Sequence, residues 1–435
     1  MNRAVGRTLK DSRAVAGGLA VGLMAVFLSG GPPDRPSAAL PACDSDNGGI
    51  TLPAGFCAVV VADQVGAPRH LAVAPNGDLF VAMAGRRGGA AGGILALRDS
   101  SGDGKADVQQ TIGSEGGTGI ALGKGALYFG TASTVYRYAL RAGSLAPLGP
   151  PDVIAKDLPT GGHSAKNLAL APDGRTLFVN IGSATNSCQV ADRSNESRGE
   201  DPCPELAYRA GVWRFDATQH DQTRVSGTRF ATGIRNAVGL AFAPSGELYA
   251  TQHGRDQLGQ NWPKLYTLEQ SAEKPSEEFF KLSEGDDYGW PHCYHDAELG
   301  HLVLAPEYGG DGKTVGRCKD KKEPLVAFPA HWAPDGLVFY GGTQFPAPYR
   351  GGAFVAFHGS WNRAPLPQAG YRVVFVPFKD GKPVGGYETF ADGFWKEDPA
   401  GPKHRPVGVA VGPDGSLYIT DDAAGRIWRV MYKGR

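Results

Sequence analysis

One phrase recurs along the chain and limits what it can fold into. From Gly239 it reads GLAFAPSGELYAT: apolar and small residues alternate, break at Pro244-Ser245-Gly246, then alternate again. Alternation with a period of two around a tight turn predicts a β-hairpin. The phrase returns as HLAVAPNGDLFVA from His70, LALAPDGRTLFVNIG from Leu168 and GVAVGPDGSLYITDD from Gly408. A weaker copy, GIALGKGALYFG, starts at Gly119, and a degenerate one, FPAPYRGGAFVAFHGS, at Phe345. Six copies of one sheet unit predict an all-β chain built as a six-bladed β-propeller, each unit burying its faces against its neighbours around a central channel. The 63 glycines and 32 prolines suit many turns and short strands. Residues 271–282 read as a short surface helix.

The start of the chain differs. Arg3, Arg7, Lys10 and Arg13 precede an apolar run over residues 14–28, and Ser37-Ala38-Ala39 follows as a small-residue cleavage site. Residues 1–39 therefore read as a cleaved signal peptide, and the apolar run is short of the ~20 residues a membrane span needs. Residues 40–435 read as one propeller, periplasmic or secreted, with no stable membrane insertion. Cys43 with Cys57, Cys188 with Cys203 and Cys293 with Cys318 form three local pairs, and an even count in an exported chain predicts disulfides between neighbours. The 44 basic and 44 acidic residues cancel, which gives no reason to expect nucleic acid as a partner.

Two insertions break the rhythm, residues 185–208 and 258–322, and a third irregular patch spans 361–371. Long loops on a rigid β scaffold usually carry function. Asp99, Ser101, Asp103 and Asp107 have calcium-loop spacing, but Gln110 stands where the closing Glu belongs, so a polar turn explains them as well. Tyr288 and Trp290, in GDDYGWPHC, are either stacking platforms for a ring or packing aromatics. The Asp421-Asp422 pair follows a strand and reads as the close of a turn.

The residues just before each innermost strand should point at one mouth of the channel. Arg69, His163, Arg235-Asn236, His358 with Trp361-Asn362, and Arg405 stand at roughly equivalent positions. Facing one another, they would form a basic ring suited to a polyanionic ligand, unless some turn outward into surface ion pairs. His163, behind Gly161-Gly162, is either an exposed loop histidine or a general base. The carbonyls of Gly254 and Arg255, at a strand end, have the chemistry to ligate a hard cation.

Taken together and in order, LPAGFCAVVVAD, GHSAKNLALAPDG, GEDPCPELAYRAGVWRFDA, GIRNAVGLAFAP, DDYGWPHC, FHGSWNR and RPVGVAVGPDGSLYITDD resemble the soluble sugar dehydrogenases that use pyrroloquinoline quinone (PQQ) and Ca²⁺. The resemblance covers nearly all of residues 40–435 and is nearest the sorbosone- and pyranose-dehydrogenase branch. It implies a six-bladed propeller that oxidises a sugar, or a related aldose or aldehyde, by hydride transfer to the quinone. It implies His163 as catalytic base, with Arg69, Arg235, Asn236, His358, Asn362 and Arg405 around PQQ. It also implies Gly254 and Arg255 as carbonyl ligands of Ca²⁺, and a separate electron acceptor, since no haem-attachment motif is present. Glucose dehydrogenases carry Asp-Gln where Ser183-Ala184 stands here, and a second Arg where Val407 stands. Two other classes compete: a non-catalytic propeller binding glycans or proteins, and a calcium-dependent lactone hydrolase, which would want carboxylates rather than a basic ring at the mouth.

Overall fold

A computed structural model describes residues 40–85, 92–395 and 403–434. The expected signal peptide, residues 1–39, lies outside them. Five four-stranded antiparallel sheets and one of five strands form the six blades of a propeller. Blade 1 runs outward as Pro68–Val73, Leu79–Ala84, Gly92–Arg98 and Val108–Ile112. Blade 2 runs Gly117–Gly123, Ala126–Thr131, Val135–Ala139 and Asp152–Lys156, and takes Gln222–Thr223 on its outer edge. Blade 3 is Leu168–Leu170, Thr176–Ile181, Gly211–Asp216 and Thr228–Thr232; blade 4 is Ala237–Phe242, Leu248–Gln252, Glu277–Leu282 and Val326–Phe328. Blade 5 is Pro334–Phe339, Ala353–Phe357, Arg372–Val376 and Glu388–Ala391. Blade 6 takes Pro406–Val411, Leu417–Asp421 and Arg426–Tyr432 from the end of the chain and Phe56–Ala62 from its start. Phe56 pairs with Tyr432 and Val60 with Trp428, so the two ends of the propeller close the ring through backbone hydrogen bonds. A closed ring leaves no long exposed inner edge.

The apolar core is divided between the blades. Phe354 and Phe375 of blade 5 meet Ile419 and Trp428 of blade 6. Ile94 of blade 1 meets Phe129 of blade 2, and Tyr249 of blade 4 meets Val355 of blade 5. Inner strands converge on the channel, where the recurring glycine of the repeat has its use. A Cβ at Gly119 would lie 2.1 Å from the Lys166 carbonyl oxygen, one at Gly336 2.2 Å from that of Val407, and one at Gly408 2.6 Å from that of Arg69. At the same repeat position blade 1 carries His70 and blade 3 is preceded by Asn167, both lining the channel.

Three expectations change. The fifth unit starts at Pro334, before the predicted copy at Phe345, because residues 340–352 form a long connection with a 3-10 turn at Ala347–Tyr349. The region 258–322 is two excursions, not one, since strand Glu277–Leu282 runs through it. Residues 271–282 are not a helix. The helix is Leu268–Glu273, opened by a Thr267–Gln270 capping box. Pro275 follows, bars its continuation, and the next residues supply the third strand of blade 4. The three disulfides pair Cys43–Cys57, Cys188–Cys203 and Cys293–Cys318, as the spacing predicts. Among the described residues no helix is long and apolar enough to cross a membrane.

Gly336→Ala should test the close approach of the blades. Its methyl meets backbone, which cannot rotate away, so a loss of about 1–3 kcal/mol is expected in urea unfolding. An unchanged midpoint would show that the inner strands have room to spare.

Candidate functional site at the channel mouth

In an antiparallel blade the start of the first strand, the end of the second and the start of the third lie at one end. The connections 182–210, 253–276 and 358–371 therefore gather at the same mouth as the residues preceding the inner strands. There, a cavity of about 230 Å³ is lined by His163, Arg235, His253, Asp256, Glu277 and Asn362 among others.

His163 is positioned by backbone. Gly161 and Gly162 both have positive φ (76° and 56°), and a Cβ on Gly162 would sit 2.2 Å from the Ala184 carbonyl oxygen. The loop is thereby pressed against residues 182–185. The His163 amide donates to the Ser183 carbonyl at 2.9 Å, and Nδ1 lies 3.1 Å from that carbonyl and 3.0 Å from Ser183 Oγ. Burial, together with the nearby Arg235 and His253, holds the imidazole well below its ordinary pKa of 6.5. At neutral pH it is an uncharged ring in a polar cavity, the form a general base requires.

The basic ring expected from sequence is not a ring of unmatched cations. Arg69 lies between two carboxylates, Asp335 Oδ2 at 2.8 Å and Asp422 Oδ2 at 2.7 Å. His253 Nε2 is 2.9 Å from Asp335 Oδ1, and His358 Nε2 is 2.8 Å from Asp422 Oδ1. Arg235 reaches Asp256 Oδ2 at 3.0 Å and the Asn186 carbonyl at 3.1 Å, and its amide donates to Gln252 Oε1. Asn362 donates to Asp256 Oδ1 at 2.8 Å, and Arg193 holds Oδ2 at 2.9 Å. The reason is chemical: buried charges are paired. Burial alone would raise Asp335, but Arg69 and His253 hold it far below the ordinary carboxylate range. Asp256 is treated likewise by Arg235 and Arg193. Asn236 accepts from Asn180 Nδ2 at 3.3 Å and so ties inner strands together. Arg405 differs from the other arginines. Its guanidinium donates only to the carbonyls of His358 and Gly359, each at 3.1 Å, so among the described residues no carboxylate balances its charge.

Gly254 and Arg255 follow the second strand of blade 4. The Gly254 amide donates to Glu277 Oε2 at 2.8 Å, and the Arg255 side chain turns away into a buried ion pair with Glu307. Neither residue's carbonyl oxygen accepts a hydrogen bond from any described residue. Gly254 lines the cavity, and carbonyls without a donor are oxygen ligands of the kind calcium takes. Among the described residues no cluster of three or more His, Cys, Asp or Glu could hold a metal, so any fit rests on these backbone oxygens. The 99–107 loop is a polar turn in which Asp99 accepts from the Gly102 and Gly104 amides and Asp107 from that of Ser100. Tyr288 and Trp290 are packing aromatics. Tyr288 meets Phe280 edge-on, and the Trp290 indole donates to the Asn186 carbonyl.

What sequence reasoning missed are the acids: Asp256, Asp335 and Asp422 at the mouth, and Glu277 beneath it. The signal was present. His253, Asp256 and Asp422 follow second strands, which end at the same mouth; so do His358 and Asn362, which were expected to precede an innermost strand but follow the second strand of blade 5.

Fold and site together define a six-bladed propeller with a polar cavity of largely paired charges at one end of its channel. Residues 50–433 match the TrAA12-like family model, and the chain belongs to that family. It is 25% identical, over 53% of its length and 36% of the relative's, to a pyrroloquinoline quinone-dependent pyranose dehydrogenase of Coprinopsis cinerea. It is 33% identical, over 47% of its length and 48% of the relative's, to an uncharacterized protein of Borreliella burgdorferi. The chain thus spans about half or less of the length of these curated relatives. Its fold matches the holo form of the pyranose dehydrogenase PQQ domain from Coprinopsis cinerea with a TM-score of 0.72, at 18% identity, covering 91% of this chain and 99% of that one. It also matches a calcium structure of a Trichoderma reesei family AA12 carbohydrate-active enzyme with a TM-score of 0.71, at 21% identity, covering 88% and 97%.

Replacing Asp335 with Asn should leave the half-buried Arg69 and His253 beside a buried neutral amide. The expected cost is about 3–5 kcal/mol in chemical unfolding. A cost under about 1 kcal/mol would mean that the mouth does not depend on this carboxylate.

Proposed function

We propose that this protein is a PQQ- and Ca²⁺-dependent oxidoreductase acting on a sugar, or on a related aldose or aldehyde of the sorbosone or pyranose type. The observation that carries the reading is the juxtaposition, at one cavity, of an uncharged half-buried histidine and Gly254, whose carbonyl, like that of Arg255 beside it, accepts no hydrogen bond from any described residue. Family membership and the similarity to the pyranose dehydrogenase of Coprinopsis cinerea support it. The charge-balanced mouth removes the argument that a basic ring disfavours a lactone hydrolase. Among the described residues, however, no acid cluster able to hold a catalytic metal replaces it.

The residues present fit the implied groups. The carbonyls of Gly254 and Arg255 would hold the calcium, and Arg405, whose charge no described carboxylate balances, would take a carboxylate of the cofactor. When bound, the quinone accepts hydride from the substrate carbon and the calcium withdraws negative charge. The chain's own part is acid–base and positional. His163 takes the proton of the substrate hydroxyl. Arg235, held rigid by Asp256, Asn186 and the Gln252 contact, presents a fixed positive charge to the cavity without having to reorganise. Asn362 is held by Asp256 at the cavity edge. Electrons leave to a separate acceptor. Three disulfides suit an exported protein, periplasmic or secreted.

The test is titration of purified protein with PQQ, with and without Ca²⁺, followed by dye reduction on a panel of aldoses and sorbosone. Calcium-dependent binding with turnover on a sugar is expected, and a chelator should abolish turnover until Ca²⁺ is returned. No binding at micromolar PQQ would overturn the proposal. His163→Gln should lower turnover by about 10²–10⁴-fold while cofactor binding persists; full turnover in that variant would remove His163 from the role. Because the pKa of His163 is depressed, the base stays deprotonated as pH falls through 6.5. The acid limb of kcat/KM attributable to His163 should therefore lie below that value, and a limb above it would contradict the assignment.

A further inference from the structure

We infer that Ser183 is a positioning residue for His163, fixing its proton on Nδ1 so that Nε2 presents a bare lone pair. The inference rests on the reading of His163 as base, but its geometry stands alone. Ser183 is fully buried and its hydroxyl has one proton, donated to the Thr185 carbonyl at 2.7 Å. Toward His163 the hydroxyl can therefore only accept. The Ser183 carbonyl, the other group near Nδ1, can also only accept. Two acceptors facing one ring nitrogen require that nitrogen to carry the proton. The opposite tautomer would set lone pair against lone pair and leave the buried Ser183 Oγ without a donor.

The support behind Ser183 runs outward into the first insertion. The Ser183 amide donates to the Arg235 carbonyl at 2.8 Å. The Ala184 amide and the Thr185 hydroxyl both donate to the buried carboxylate of Glu205, and the Cys188 amide donates to Thr185 Oγ1 at 2.9 Å. Glu205 lies two residues after Cys203, which is bonded to Cys188. The disulfide-closed insertion thus acts as a clamp: Glu205 holds Thr185, the Thr185 carbonyl holds the Ser183 hydroxyl, and Ser183 holds the imidazole. A serine here orients the ring without placing a negative charge beside it, so the imidazolium is stabilised less than a carboxylate in that place would stabilise it.

The test is ¹⁵N NMR of histidine-labelled protein without added ligand, with His163 assigned by the His163→Gln variant. The wild type should show the Nδ1–H tautomer at His163. Ser183→Ala, which removes one of the two acceptors, should mix the tautomers. In the active protein it should lower kcat by about tenfold, the worth of one hydrogen bond, with the sugar KM unchanged. An Nε2–H tautomer in the wild type overturns the inference. So does an Nδ1–H tautomer unaltered by Ser183→Ala, because the carbonyl would then suffice. If the tautomer behaves as expected while His163→Gln retains full turnover, the positioning stands and the reading of His163 as base fails.

Discussion

The mouth of this propeller depends on Asp335. It stands at the start of blade 5, takes Arg69 of blade 1 on one carboxylate oxygen and His253 of blade 4 on the other, and its carbonyl meets His70 of blade 1. Arg69 passes the connection on to Asp422 of blade 6, which holds His358 of blade 5. A propeller's blades meet mainly through apolar faces, which are tolerant of small slides. Directional, buried charge pairs are not tolerant, because a lost partner leaves an uncompensated charge in a dry site. The apolar clusters hold the blades together, and this chain of acids and bases holds their ends in register where ligand would enter.

The same logic explains why the cavity can be polar without being basic. Asp256 neutralises Arg235 and fixes Asn362, so these groups enter the cavity as oriented donors, not as mobile charges. His163 is kept neutral by burial and by the arginine beside it. Among the described residues the carbonyls of Gly254 and Arg255 accept no hydrogen bond and the charge of Arg405 meets no carboxylate. Such groups are complementary to a cation and to an anion, respectively. That is a narrower specification than the polyanion receptor a count of arginines implies.

Much of the architecture was legible because the repeat carries its own physics. Alternation marks the two inner strands of each blade, and the recurring glycine marks where neighbouring backbones touch, as at Gly336 and Gly408. The fifth copy was misplaced because its two strands are separated by a long connection instead of a tight turn. Glu277–Leu282 was hidden because Glu-Glu at its start reads as solvated helix, whereas here both carboxylates are buried. Within the site His163, Arg235 and Asn362 were found and brought to one cavity. Asp335 was not, because it opens the first strand of the misplaced fifth copy, and Asp256 and Asp422 were not, because an Asp after a strand reads as a turn residue. Asp421 does serve that role, accepting the Ala423 and Ala424 amides. Only pairing across blades, which no local pattern encodes, separates it from its neighbour Asp422.

The most direct measurement is anomalous diffraction from crystals of the protein grown with PQQ and soaked in terbium as a calcium stand-in. The account predicts one strong peak at the channel mouth, about 2.3–2.6 Å from the carbonyl oxygens of both Gly254 and Arg255. A peak only at surface carboxylates, or at the 99–107 turn with the mouth empty, would contradict it.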